Sequence, residues 1–409
     1  MTLQLALLFA IGLLAAVGLG LIFLAGARGR RLRRRKQRLS GRVAALRARL
    51  ETYAASGFQD VERLHIELRA ADDPQQMDAA LRAVGGGLEA LEPDVQERLR
   101  AVYERSGLLA MHRSSLREAP DWRTRADSAL VLGHLGDIEA IPDLAASVRD
   151  ADEDASTVKA AAARALGMMT APGAAELLVT ELAAPGDWSS PRIAEALVEM
   201  GGPAYAATLA GLDHDSANVR AWCSRVLGQL GDPGAVRPLM GRLLDRSGPV
   251  RTVAAEALGL LADPTATSSL VEAMLRDPAA QVRGGAARAL GRTADPASLS
   301  ALVDALDDPD PWTRIRAVEA LEALHPDDAE LLLEAVRSGR EESSRAAAVA
   351  LERIGHVQRW VDQLVDAPRG GVAALEGWLV MVARQGGSGP LRRAMRESAE
   401  LATRARCAR

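Results

Sequence analysis

Nucleophilic, metal-ligating and phosphate-binding chemistry each need particular side chains at particular spacings, and this sequence offers few of them. Its six histidines, His65, His112, His134, His214, His325 and His356, are dispersed. None has the HExxH spacing that puts two imidazoles on one helix face around zinc. A P-loop needs Gly-Lys-Ser/Thr so that its lysine reaches the phosphates, yet the two lysines, Lys36 and Lys159, follow Arg35 and Val158. Cys223 and Cys407 are too few for a disulfide framework or a cysteine-based zinc site. Cys223 and His214 form a candidate nucleophile and base. Against that reading, Cys223 sits in a helical stretch, where a free cysteine is usually a small buried residue. Carboxylates are abundant but fall at turns, where helix capping and ion pairing account for them. The sequence therefore predicts no enzyme, no metal and no cofactor.

The informative spacing belongs instead to leucine. Leu132, Leu166, Leu197, Leu227, Leu258, Leu290, Leu321 and Leu351 follow one another at 34, 31, 30, 31, 32, 31 and 30 residues. A period near 31 over eight units is the signature of a repeat array. Each unit reads as two helices. In Val250–Leu258 the apolar residues lie at −8, −4, −1 and 0 from the marker leucine, one face of a 3.6-residue period. Asp232-Pro233, Asp263-Pro264 and Asp295-Pro296 come next. There Asp caps the following helix and Pro takes its first position, where no N–H is needed. Aromatic residues make up only 3% of the chain, which suits closely packed helices rich in alanine and leucine.

The pairs Val219-Arg220, Val250-Arg251 and Val282-Arg283, the Ala-Leu-Gly tracts and the Gly231-Asp232-Pro233 turn resemble the HEAT repeats, especially the short bacterial HEAT-like type of the phycobilisome lyases. The resemblance covers residues 119–366, about eight repeats, and implies an all-α fold, an α-α superhelix or HEAT-repeat solenoid. It also implies a hydrogen-bonded ladder between stacked repeats. Its members would be Asp245 with Arg251, Asp277 with Arg283 and Asp308 with Arg314, with Glu153 and Lys159 as a conservative version. Ser190 and Ser344 stand where the pattern expects Arg. A lyase-like handling of a bound chromophore is the one activity the resemblance suggests, and it rests on fold alone.

In such arrays the second helices line the concave surface, where solenoids hold their partners. Position −2 reads Arg164, Glu195, Arg225, Glu256, Arg288 and Glu319 in successive units. This strict alternation is either an ion-pair ladder between repeats or a surface that reads a partner. Trp222 lies at −5, as do Arg192 and Arg316, and Trp and Arg are favoured interface anchors. Trp122, Trp188 and Trp312 recur just before the second helix, where a staple on the next repeat is the competing role. The expected partner-binding residues are Trp222, Arg192, Arg225, Arg316, Glu256, Arg288 and Glu319.

The ends of the chain differ from the array. Leu3–Ala27 is apolar apart from Gln4 and long enough to cross a bilayer with some tilt. Residues 28–50 hold eleven basic residues and no acid, a flank that keeps its side in the cytoplasm. Ala25-Gly26-Ala27 would suit signal-peptide cleavage, but no basic residue precedes the run and the run is longer than a usual signal core. The expected organisation is a transmembrane anchor at 1–27, a basic juxtamembrane helix at 28–56 and a degenerate helical cap at 57–118. Repeats at 119–366 and a cap and tail at 367–409 complete it. Residues 51–409 carry 39 basic and 54 acidic residues, a net of −15. An acidic body argues against nucleic acid as a partner. The sequence thus predicts a single-pass protein of the inner membrane whose cytoplasmic solenoid is a scaffold for a protein partner. A regulatory subunit of a membrane enzyme complex is the alternative.

Overall fold

The computed structural model describes residues 51, 53, 74–82, 88, 93–149, 156–169, 173–183, 189–327, 329–338, 340–366 and 373–397. The run Leu3–Ala27, the basic flank 28–50, Glu153 and Trp188 lie outside the described residues, so the expected anchor and its topology do too. No helix among the described residues is long and apolar enough to cross a membrane.

The chain divides into two compact units, Met1–Ser147 and Val148–Arg409. The first contains α1 (Pro74–Arg82), α2 (Pro93–Arg105), α3 (Leu108–Glu118), α4 (Trp122–His134) and most of α5 (Ile141–Arg149). Val95–Leu109 reads as one helix in the sequence, but the structure divides it. Gly107, at φ 77°, takes the left-handed conformation that ends α2 and starts α3. Leu81, Leu99, Tyr103, Leu108 and Leu132 are fully buried in this unit.

The second unit is a succession of helix pairs. Its second helices are α6 (Ser156–Met168), α8 (Ser189–Met200), α10 (Ala217–Leu230), α12 (Gly248–Leu261), α14 (Ala280–Thr293), α16 (Pro311–Leu324) and α18 (Glu341–Ile354). The intervening first helices are α7 (Ala174–Glu181), α9 (Gly202–Gly211), α11 (Val236–Arg242), α13 (Thr267–Arg276), α15 (Leu299–Asp304), α17 (Glu330–Ser338) and α19 (His356–Asp366). α20 (Ala373–Arg384) and α21 (Gly389–Glu397) follow. All eight marker leucines, Leu132 in the first unit included, are fully buried, as are Ala162, Ile193, Cys223, Ala254, Ala286, Ala317 and Ala347 at −4. A helix pair cannot cover such a stripe alone. Within the second unit, stacked neighbours bury it as one continuous core.

Two local devices set the stacking. The glycine after the marker leucine faces the alanine at −1 of the next repeat: a Cβ on Gly228 would lie 2.7 Å from Cα of Ala257, and one on Gly259 or Gly291 would lie 2.8 Å from that of Ala289 or Ala320. Only glycine lets these second helices approach so closely. At the turn that follows, Gly231, Ala262, Ala294 and His325 all adopt left-handed conformations. Asp232, Asp263 and Asp295 then accept hydrogen bonds from the N–H of Gly234, Thr265 and Ala297 at 2.7, 2.8 and 3.0 Å. Each caps a short 3-10 turn, such as Pro233–Ala235, which leads into the α-helix proper.

Candidate functional site

Two rows of charge run across the stacked repeats. The first lies at the turns that enter the second helices. Arg220, Arg251 and Arg283 each reach forward with a bidentate pair of N–H bonds to the carboxylate of the next repeat. Nε and Nη2 stand 2.7 and 2.9 Å from Asp245, 2.6 and 2.9 Å from Asp277, and 2.7 and 2.9 Å from Asp308. Nη1 turns back to the backbone carbonyl six residues earlier: His214, Asp245 and Asp277 at 2.8, 2.9 and 3.0 Å. Each arginine thus joins its own repeat through a carbonyl and its neighbour through a carboxylate. The Arg220 guanidinium holds the Asp245 carboxyl below its ordinary value. Burial opposes the same shift at Asp277, but the hydrogen bonds of Arg251 and the Ala279 N–H prevail. Arg314 keeps the backward bond, 2.7 Å to the Asp308 carbonyl, but its forward partner is the exposed Glu342 at 2.6 Å.

The second row is the alternating position. Glu256 bridges two repeats, pairing with Arg225 at 3.8 Å and with Arg288. Glu195 and Glu319 pair with Arg192 and Arg316 of their own helices, at 2.8 and 2.7 Å. Trp222 is half-buried, and the Arg225 guanidinium lies 5.5 Å from its ring centroid, within cation–π range. These side chains belong to one exposed face of the second helices. Exposed pairs of this kind contribute little to stability, so the face keeps its charges at small cost to the fold.

That face is not flat. A groove of about 350 Å³ is lined by Glu256, Gly284, Gly285, Arg288, Trp312 and Arg316, with Thr252, Gln281 and Asp310 beside them. It gathers Glu256, Arg288 and Arg316 of the expected site with Trp312. Trp222, Arg225, Arg192 and Glu319 are outside its lining. Trp312 is 68% exposed, so it is no staple on the next repeat. Gly284 is half-buried at the groove's floor and Gly285 is buried. A Cβ on Gly284 or Gly285 would meet nothing closer than 3.7 Å, so stacking does not require either of them. Two helix-interior glycines with no packing reason cost about 1–2 kcal/mol together.

Other chemistry finds no support at these positions. Cys223 is fully buried against Gly211, and burial pushes its thiol up to about 12, which disfavours the nucleophilic thiolate. The His214 ring accepts a bond from the Ser216 N–H at 3.0 Å. Among the described residues no group of three or more His, Cys, Asp or Glu is placed to hold a metal.

A polar cluster in the first unit carries no sequence signature. Asp78 Oδ1 accepts from the Tyr103 hydroxyl and faces His112 Nε2, both at 3.0 Å, while His112 Nδ1 stands 3.2 Å from Ser128 Oγ. Arg82 joins Asp78 to Asp127 at 2.7 Å each. Burial opposes ionisation of Asp78, but the bonds from His112 and Arg82 outweigh it and hold the carboxyl at about 2. Asp78, Tyr103, His112 and Ser128 are all buried, so the arrangement ties α1 to α2, α3 and α4.

Stacked helix pairs, a shared apolar core and an inter-repeat arginine–aspartate ladder define an α-solenoid. The sequence pattern of the HEAT repeats matches residues 112–198, 205–284 and 267–353, more than half of the chain, and the protein belongs to that family. No curated protein matches the sequence. Among solved structures, Kap121p is similar with a TM-score of 0.50 at 13% identity, over 88% of this chain and 46% of its own. The chain thus spans about half the length of Kap121p. An engineered protein matches at 19% identity with a TM-score of 0.35, over 86% of this chain and 97% of its own. Human deoxyhypusine hydroxylase matches at 22% identity with a TM-score of 0.28, over 66% and 98%. The likeness to Kap121p bears on the fold alone.

Proposed function

We propose that this protein is a non-catalytic scaffold, tethered to a membrane by its N-terminal apolar run, that holds a protein partner on the exposed face of its second helices. The observation that carries the reading is the groove over α14, between α12 and α16. It combines an exposed tryptophan, arginines and a glycine floor that the fold itself does not need. Trp and Arg are the residues that most often anchor interfaces, and a glycine floor admits a close approach. The Gly–Ala contacts draw the second helices together, which favours that layer as the inner side of the bend. The apolar run 3–27 and its basic flank support the tether, and tethering would raise the local concentration of whatever the face holds. Crosslinking in intact membranes followed by mass spectrometry tests this reading. Partner crosslinks should be lost in Trp222→Ala with Arg225→Glu and in Gly284→Ala with Gly285→Ala. If both variants fold and retain every crosslink, the reading is wrong.

A further inference from the structure

The junction between α16 and α18 lacks what the three before it share. Each ladder carboxylate stands thirteen residues before a marker leucine: Asp245, Asp277 and Asp308 precede Leu258, Leu290 and Leu321 in this way. Before Leu351 that place is Ser338, so Arg314 meets Glu342 instead. Gly228, Gly259 and Gly291 let the second helices approach at the earlier junctions, but here Glu322 follows the marker leucine. Accordingly α16 packs on α18 over much less of its length than on α14. A groove of about 300 Å³ lies between α16 and α18, with Ile315, Val318 and Val349 in its lining.

We propose that α16 and α18 meet at a salt-sensitive hinge, about which the C-terminal helix pairs swing against the four-repeat block α9–α16. Surface charge spans this junction. Arg314 pairs with Glu342 at 2.6 Å, Arg353 with Glu322 at 2.9 Å and Arg340 with Asp307 at 3.6 Å. The Glu342 and Arg340 side chains are 67% and 82% exposed, whereas Arg283 and Asp308 at the preceding junction are 12% and 8%. Salt screens exposed pairs far more than buried ones. The apolar core continues through the junction, because Leu321, Ala317, Leu351 and Ala347 are fully buried. The repeats therefore stay joined while their spacing can change. Beyond the hinge, Trp360 of α19 lies 5.3 Å from Trp378 of α20, and Leu364, Leu379 and Val382 are buried. These helices share apolar contacts of their own, and packed bodies move about the place where packing is thinnest. Opening lengthens the span of the second-helix face and widens the groove. The hinge does not depend on what that face holds.

Spin labels on the full-length protein in detergent provide the test, with Cys407→Ser made and the buried Cys223 left in place. The pair Gln281→Cys with Val349→Cys spans one laddered junction and the hinge. The control pair, Gln281→Cys with Gln229→Cys, spans two laddered junctions, and all three positions are exposed. Pulsed electron resonance gives the distances at about 0.1 M and about 1 M sodium chloride, between which the screening length falls from about 10 to about 3 Å. Across the hinge, high salt should lengthen the mean distance and at least about double the width of its distribution. The control should change far less. Ser338→Asp with Glu322→Gly, which supplies the absent carboxylate and the close approach, should abolish the salt response. Glu322→Gln with Glu342→Gln should give the high-salt distribution at low salt. A hinge distance that salt leaves unchanged, or a control that responds equally, overturns the proposal. That comparison keeps all three ion pairs, so it stands even where a closing variant fails to fold. A folded Ser338→Asp, Glu322→Gly variant with the parent's salt response also overturns it.

Discussion

Gly228 of one repeat and Ala257 of the next stand so close that a single methyl group on the glycine would lie 2.7 Å from the neighbour's Cα. The obstacle is backbone, so no side-chain rotation relieves it. Gly228→Ala should push α10 and α12 apart and destabilise the array by about 1–3 kcal/mol, the usual cost of overpacking. Gly241, inside α11 with nothing within 4 Å of its would-be Cβ, is the control. There Ala should be neutral or stabilising by up to about 1 kcal/mol, because it removes helix-interior glycine entropy. Urea denaturation followed by circular dichroism distinguishes the two.

The turns supply the opposite substitution. Ala262 and Ala294 hold φ values of 53° and 49°, a conformation costing a side-chain-bearing residue about 1–2 kcal/mol, while Gly231 occupies the equivalent turn at φ 75° without that cost. Ala262→Gly and Ala294→Gly should each raise stability by up to about 1 kcal/mol, and Gly231→Ala should lower it by a similar amount. Thermal melts of the three variants would show opposite shifts in Tm.

The repeat itself was legible because its signals are local: a recurring leucine, a small or apolar residue at −4 and a turn every thirty-odd residues. The ladder was only half legible. Pairing each arginine with the aspartate six residues before it finds Arg251, Arg283 and Arg314 but passes over Arg220, which has His214 at that place. The structure shows why: that position contributes only its carbonyl, which any residue has, while the carboxylate comes from the following repeat. The Asp78 cluster was invisible because its members come from four helices with no fixed spacing. Trp312 was visible as a turn tryptophan, but not its exposure or the groove it shares with Gly284 and Gly285 of the preceding repeat. Sequence periodicity reports what each unit needs from its neighbours, and not where a unit departs from that need.

The ladder should be strong where both partners are buried and weakest at its end. Arg251 and Asp277 are largely buried and bonded through two N–H groups, so Arg251→Ala strands a buried carboxylate and should cost about 3 kcal/mol. Arg314 faces the exposed Glu342, so breaking that pair with Glu342→Ala should cost no more than about 1 kcal/mol. A double-mutant cycle for each pair, measured by urea denaturation, gives the coupling directly. Equal coupling energies would mean that the carboxylate's burial is not what makes the ladder strong.

Acid should loosen the first unit through one carboxylate, Asp78. Asp78 is held at about 2 in the folded protein, below its ordinary value of 3.8. Between those values the unfolded chain binds the proton and the folded chain does not, so folding stability is full above about pH 4 and declines as pH falls toward 2. The shift corresponds to about 2 kcal/mol for this buried carboxylate. Asp78→Asn should remove that portion of the pH dependence while lowering stability at neutral pH, because Arg82 and His112 lose their charged partner. Hydrogen exchange should locate the loss: amides of α1 and of α3 around His112 should lose protection on acidification, and Asp78→Asn should abolish that loss without changing the pH dependence at α12 and α14, whose aspartates Asp245 and Asp277 respond separately. Protection of α1 that does not change between pH 4 and 2 would mean that the Asp78 carboxylate does not hold it in place.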